Sequence, residues 1–327
     1  MNELSAAIFS ESEYQRQDAK KPGEVAYSPL DPEKINNSMQ AIDQAMKKSQ
    51  ARTCVAFSGG SDSLVLLDIV RKVSQLPIVI WADSQMEYPE TRPFIEKTTA
   101  SYNLDLRIAR AKRTPLEQWS KTGWPMLGKM AARLWMQKNR GEEMGFSINV
   151  SECCRALKIG PARALAQNLG CGVQLTGQRG KTDDSLRGLR NIKDGVMFYQ
   201  ARDRIWMANP LAGWSDADIK GYIHEYNLPK HPARKRGAAT IGCVYCGGGC
   251  QFTNSGYRIL RKTWPEAWYR FMVEWGGGLI ILSLKYKSRL NETLEAVKEL
   301  GGLECLATTK PWLFDFTRMK PILGYNK

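Results

Sequence analysis

The sequence predicts an open, doubly wound α/β sheet of parallel strands, followed by a helical C-terminal extension. Three observations carry that expectation. Short apolar runs alternate with helix-periodic segments from about residue 50 to about residue 230. One of those runs ends in a Gly-rich turn that leads straight into a helix. From about Gly256 onward the pattern is helical throughout. With 327 residues, 43% hydrophobic and 24% charged, the chain can build one large packed domain with an appendage. The expected division is an N-terminal arm and helix over 1–50, the sheet domain with its cysteine site over 51–255, and the helical extension over 256–327.

Taken in order, a polar arm precedes a helix from Pro32 to Lys48. "TCVAFS" is the first strand, and "DSLVLLDIVRKVSQ" is the helix after it, with Leu, Val and Ile at helical spacing. "PIVIWAD" is a second strand. "YPETRPFIEKTTASYN" is a helix with proline in its first turn, where a missing N–H breaks no helical bond. "LDLRIARA" is a third strand, and "GPARALAQNLG" is a helix that ends in Gly170. "GVQLTGQR" and "RIWMANPL" are two further strands, and "SDADIKGYIHEYN" opens with Ser215 as its N-cap. "KHPARKRGAATIG" reads as a flexible basic loop. In "YRILRKTWPEAWYRFMVEWG", Trp264, Trp268, Tyr269, Phe271 and Trp275 recur at helical spacing, which favours core packing over base stacking. "SRLNETLEAVKELGG" is the last helix.

The turn after the first strand is Ser58-Gly59-Gly60-Ser61-Asp62-Ser63. In an open parallel sheet, ligands bind beyond the carboxyl ends of the strands. Glycines there let backbone N–H groups approach a phosphate, and the following helix N-terminus adds its positive dipole. The three serines add hydroxyls. Asp62 would repel a phosphate unless it holds Mg²⁺ or orients a nucleophile. The loop is not a Walker A loop, since no G-x-x-x-x-G-K-[ST] is present. Asp83 and Ser84 close a neighbouring strand and are expected beside the adenosine. Gly177, Arg179, Lys181 and Arg187 surround Asp183, Asp184 and Ser185 after another strand, where phosphate and substrate contacts are expected.

Eight cysteines are present, and Cys54, Cys171 and Cys305 read as ordinary. The other five gather as Cys153-Cys154 and Cys243-x-x-Cys246-x-x-x-Cys250. The N-terminus has no apolar signal core and no apolar run is long enough to span a membrane, so the chain reads as cytoplasmic. Disulfides are then not expected, and metal or redox chemistry is. Four thiolates bind zinc or an iron–sulfur cluster. Adjacent cysteines diverge, which suits a cuboidal cluster better than one zinc ion. Cys250 is either a fifth candidate ligand or a sulfur-handling thiol. His224 and His231 show no metal-partner pattern and read as structural. The formal net charge is +14. It implies a polyanionic partner or a solvated basic surface, with Lys230, Arg234, Lys235 and Arg236 as the densest basic run.

"SGGSDS" resembles the PP-loop of the ATP pyrophosphatase superfamily, whose fold is the adenine nucleotide α-hydrolase-like sheet and whose members cleave ATP between its α and β phosphates. "WADSQMEYPETRPFI", "CCRALKIGPARAL", "LTGQRGKTDDSLRG", "NPLAGWSDADIKGYIHEYNLPKHP" and "GAATIGCVYC" resemble successive segments of the phosphoadenosine phosphosulfate (PAPS) reductase family. The cysteine spacing is similar to that of adenylylsulfate reductases in which both pairs hold one [4Fe–4S] cluster. The chain departs from the reductases in two places. It keeps the intact loop, and "GLECLATTKPW" lacks the Gly-Leu-His that follows the reductases' catalytic cysteine. Together, loop, cysteines and charge look most like the iron–sulfur component of DNA phosphorothioation (Dnd and Ssp) systems. The resemblance implies ATP, Mg²⁺ and a [4Fe–4S] cluster as cofactors, with Asp62, Ser63 and Arg179 as catalytic residues. It also implies DNA as acceptor, a cysteine desulfurase as sulfur donor, and other modification-system subunits as partners. A tRNA thiolase, an adenylylsulfate or PAPS reductase, and a non-catalytic nucleotide-sensing, nucleic-acid-binding subunit are the alternatives.

Overall fold

The computed structural model describes residues 29–49, 51–73, 77–126, 150–180, 196–238, 240–247, 256–286 and 290–314. Lys181, Asp183, Asp184, Ser185, Arg187 and Cys250 lie outside the described residues. The chain divides into two compact units, one built from residues 22–112 and 156–235, the other from 1–21, 113–155 and 236–327.

The first unit is a six-stranded sheet. Its strands are β1 (Arg52–Ala56), β2 (Ile78–Asp83), β3 (Asp105–Arg110), β4 (Cys171–Leu175), β5 (Met197–Gln200) and β6 (Ile205–Ala208), in the order β3-β2-β1-β4-β6-β5. All neighbours pair parallel except β5, which runs antiparallel on the edge beside β6. The doubly wound fold expected from the alternation is therefore present, with one added antiparallel strand. The sequence pattern does not mark that strand, because it is short and half-exposed, with Tyr199 open to solvent.

The inner strands β1, β2 and β4 are largely apolar on both sides because both sides are covered. Val55, Val79, Trp81, Val173 and Leu175 face one cluster, which is closed by α1 (Pro32–Ser49), α2 (Ser61–Val73) and α7 (Asp216–Glu225). Cys54, Ile78, Ile80, Ala109 and Cys171 face the other, closed by Ala162 and Ala166 of α6 (Gly160–Asn168). Side chains alternate along a strand, so consecutive residues such as Cys54 and Val55 supply opposite faces. α3 (Thr91–Ser101) follows β2. Ser215 caps α7 as expected: its hydroxyl accepts the Asp218 N–H, and the Asp218 carboxylate accepts the Ser215 N–H. One expectation is corrected. Within the basic segment after β6, Pro232–Lys235 forms a helical turn, α8, so "KHPARKRG" is not simply a flexible loop.

The second unit is helical. α4 (Pro115–Thr122) starts at a capping box made by Thr114 and Glu117. α5 (Val150–Cys154) carries the paired cysteines. The C-terminal helices are α9 (Gly256–Thr263), α10 (Pro265–Tyr269), α11 (Gly277–Tyr286), α12 (Leu290–Glu299) and α13 (Gly302–Thr309). Pro265 ends α9 and starts α10, as a residue without an N–H must. Trp264, Trp268 and Phe271 are buried, so this aromatic series is core, as the spacing suggested. Among the described residues, no helix is long and apolar enough to cross a membrane.

Candidate functional site

β1 lies between β2 and β4, where strand order reverses, and the Ser58–Ser63 turn extends from its carboxyl end. Gly59 has φ +78°, which L side chains rarely adopt, and so turns the chain sharply into α2. The first intrahelical bond is Leu64 N–H to Gly60 O at 2.9 Å. The N–H groups of Ser61, Asp62 and Ser63 therefore have no partner within the helix, and α2 is long enough for its dipole to reinforce them. Ser63 is buried, and its hydroxyl braces the turn from inside. It donates to Gly60 O at 2.9 Å, receives the Ser58 N–H at 3.3 Å and lies 3.1 Å from the Ser58 hydroxyl. Such a brace holds the loop open for an anion without itself reaching one.

Arg179, just beyond β4, is 6% exposed, and its guanidinium joins two carboxylates. Its Nε lies 3.2 Å from Asp62 Oδ2, and a terminal nitrogen pairs with Asp216 at the start of α7. Burial opposes the charge, but Asp62 and Asp216 outweigh it, and the guanidinium is held above its ordinary range. Asp62 is 39% exposed at the loop. Asp62 thus carries its own counter-ion at the loop. Sequence reasoning misses Asp216, because nothing local marks a residue that meets Arg179 only through the fold.

Gly177 is needed for a steric reason. A Cβ there would fall 2.9 Å from the Asp62 carbonyl carbon and 3.0 Å from Ser63 N, both backbone atoms. Gly177→Ala is expected to push the start of α2 off the sheet, lowering stability by about 1–3 kcal/mol and pyrophosphate affinity at least roughly tenfold. Chemical denaturation and calorimetric titration measure the two effects, and unchanged affinity would reject this packing role.

At the end of β2, Asp83 holds the Arg110 guanidinium and accepts the Gln85 N–H at 2.8 Å. Ser84 donates to Glu87 at 2.6 Å, and Glu87 also takes Lys158 at 3.1 Å. Both residues expected beside adenosine thus brace their own turn. Arg234 of α8 is within electrostatic reach of Asp62 in the glycine loop.

The four described thiols of the cysteine set belong to the helical unit. Cys243 and Cys246 are joined by a turn in which Cys246 N–H meets Cys243 O at 3.2 Å. Between them, Tyr245 is 4% exposed and stacks on Phe271 at 5.1 Å, which anchors the turn. Gly247 packs flat on the backbone of Met126, where a Cβ would collide with the Met126 carbonyl oxygen, so no larger residue fits there. On the other side of the set, Cys153 is 6% exposed and its sulfur accepts the Trp119 indole N–H at 3.3 Å. Burial pushes the Cys153 thiol up to about 12. The Trp119 hydrogen bond opposes this, and Cys243, Cys154 and Cys246 add to it, which places all four within electrostatic reach. Among the described residues, no group of three or more His, Cys, Asp or Glu is placed so that it could hold a metal ion. The donor chemistry fits an iron–sulfur cluster: the nearby donors are sulfurs, and an N–H donates to one of them, the kind of contact that stabilises a metal thiolate. Sequence reasoning also misses Trp119, although the Thr114–Glu117 capping signature in front of it is a readable signal.

A mostly parallel sheet with a glycine turn at its switch point defines a doubly wound α/β protein. Residues 52–248 match the phosphoadenosine phosphosulfate reductase domain, and the chain belongs to that family. It is 27% identical over 207 residues to the phosphoadenosine 5'-phosphosulfate reductase of Aliivibrio salmonicida, a match covering 63% of this chain and 72% of that one. Among solved structures, a phosphoadenylyl-sulfate reductase from Candida auris in a phosphate complex aligns with TM-score 0.44 and 20% identity, covering 67% of this chain and 98% of the other. A U34-tRNA thiolase from Methanococcus maripaludis with its [4Fe–4S] cluster aligns with TM-score 0.41 and 13% identity, over 72% and 76% of the two chains.

Proposed function

We propose that the protein is an ATP pyrophosphatase that adenylates an acceptor for sulfur incorporation, with the DNA backbone as acceptor. The observation that carries this reading is the intact loop, with unspent N–H groups at the start of α2 and Asp62 held by Arg179. The acceptor oxygen attacks the α-phosphorus of ATP and pyrophosphate leaves; a sulfide-level sulfur nucleophile then displaces AMP, an external thiol reductant supplying the two electrons that bring a persulfide sulfur to that level. The loop N–H groups face the departing pyrophosphate, and Asp62 would hold Mg²⁺, which would supply charge neutralisation there. Cys153, Cys154, Cys243 and Cys246 would hold the [4Fe–4S] cluster, which supplies a site to hold or relay sulfur brought by a cysteine desulfurase.

Reduction of a sulfonucleotide is the second reading, favoured by the names of the relatives. Against it, Cys305 lies within α13, its thiol exposed, and is not followed by the Gly-Leu-His of the reductases. Parallel assays separate the two. ATP, Mg²⁺, DNA and a desulfurase should yield pyrophosphate and phosphorothioate nucleosides detectable by mass spectrometry. Sulfite from adenylylsulfate or PAPS with thioredoxin, without pyrophosphate from ATP, would select the reductase.

DNA as partner rests on the charge of +14. Arg236 already stacks on Trp264 at 4.8 Å and donates to Thr263 O at 2.8 Å, and Arg234 is within electrostatic reach of Asp62, so Lys230 and Lys235 are the cleaner probes. Replacing both with Ala should weaken DNA binding irrespective of sequence. It should also flatten the salt dependence by roughly 0.7–0.9 log units per log salt for each phosphate that the lysines no longer neutralise. A fluorescence titration at two salt concentrations reads this, and an unchanged slope assigns these lysines to solvated surface.

A further inference from the structure

His231 stands between α7 and α8 with its imidazole enclosed, 4% exposed. The ring packs on Phe94 of α3 with centroids 4.8 Å apart. Its Cδ2 edge faces the glycine loop: a Cβ at Gly59 would lie 3.3 Å from His231 Cδ2. Nδ1 accepts the Ala233 N–H at 3.1 Å, which fixes the neutral tautomer with its proton on Nε2. Burial pushes the imidazole down to about 4, with Glu90 opposing and Arg234 reinforcing the shift, so the ring is neutral near pH 7. Nε2 is bonded to Cδ2 and therefore lies on the ring edge turned to the loop, yet it has no hydrogen-bond partner among the described residues. Thr91 Oγ1, one helical turn before Phe94 on α3, is also buried without a partner among them. A buried N–H is rarely left unpaired, because its desolvation is then uncompensated. In this protein the orphan donor lies beside the loop that leads into α2, where the N–H groups of Ser61, Asp62 and Ser63 have no partner within the helix.

We propose that His231 Nε2–H donates to a phosphoryl oxygen of the anion seated on the glycine loop, either pyrophosphate or the β- or γ-phosphate of a nucleoside triphosphate. This rests on the reading of Ser58–Ser63 as a phosphate site and adds to it a neutral side-chain donor beside Gly59. A neutral donor suits a site that must release its product, since it recognises phosphate geometry without adding a full positive charge to hold a leaving group. Because the proton is fixed on Nε2 by the Ala233 N–H, the donor needs no protonation to act.

The test uses the full chain labelled with ¹⁵N-histidine. Only two histidines are present, and His224→Gln assigns the pair. Saturation with magnesium pyrophosphate should shift the His231 Nε2–H resonance downfield and slow its exchange, leaving His224 unmoved. By calorimetry, His231→Asn, whose amide reaches only the Nδ1 position, should weaken pyrophosphate binding roughly tenfold or more. His231→Gln, whose amide reaches the Nε2 position, should stay close to the wild type. Pyrophosphate binding with an unmoved His231 resonance, or with undiminished affinity in His231→Asn, overturns the inference alone. That is the outcome if a buried water bridging His231 and Thr91 fills the place. A wild type that binds no pyrophosphate overturns the loop reading and this inference together. The resonance is read on unsubstituted protein, so the test survives a variant that fails to fold.

Discussion

Asp62→Ala is expected to cut pyrophosphate release from ATP, Mg²⁺ and acceptor by roughly 10²–10³-fold, the scale of losing one preorganised electrostatic contact to a transition state. The variant should nevertheless fold. Asp62 is 39% exposed, and Arg179, the buried member of the pair, keeps Asp216 and the Trp214 carbonyl when Asp62 is removed. The buried charge is thus not orphaned, and the large penalty for a broken buried ion pair does not arise. Arg179→Ala is the informative contrast. It leaves Asp62 and Asp216 without the cation between them and empties a buried position, so its melting midpoint should fall below that of Asp62→Ala. Malachite-green and coupled pyrophosphate assays, run beside thermal denaturation, read both variants. Full activity in Asp62→Ala, or orthophosphate in place of pyrophosphate from the wild type, would sink the assignment of this loop.

The sequence carries the sheet because its inner strands are buried on both faces. Cys54 and Val55, or Val79 and Ile80, are adjacent residues sent to different clusters, and such runs are apolar without interruption. The glycine loop is legible for the same local reason: strand, turn and helix are consecutive, and Gly59 and Gly60 mark the turn. What sequence does not expose is pairing across the fold. Its pattern points Arg179 at phosphate, whereas the geometry of that side chain depends on Asp62 and Asp216, each far away in the chain. Ser63 reads in sequence as a catalytic hydroxyl, and the structure commits that hydroxyl to Gly60 O. His231 reads as structural because no second ligand type lies near it in sequence. Only the packing against Gly59 gives its Nε2 a direction. Trp119 likewise looks like one more core aromatic until its indole N–H is found on Cys153.

Cys243→Ala and Cys246→Ala are each expected to bleach the protein. Anaerobically purified wild type should be brown, with absorption at about 400 nm and about four irons per chain, as four-thiolate ligation of a cuboidal cluster requires. The fold around the turn should survive either change, because Val244 and Tyr245 between the two cysteines hold it in the aromatic core. Trp119→Phe separates ligation from tuning. It removes the N–H donated to Cys153 but no sulfur, so the colour should remain. The reduction potential should become more negative, since that hydrogen bond favours the more electron-rich cluster. Loading should also depend on pH with a definite sign. Burial holds the Cys153 thiol up at about 12, so metal must displace its proton, and apparent affinity falls by about tenfold per pH unit for each proton released as the solution is acidified. Iron analysis, absorption spectra and a potentiometric titration read these outcomes. A colourless protein with a single zinc per chain would reject the cluster, and with it any part for these cysteines in holding sulfur.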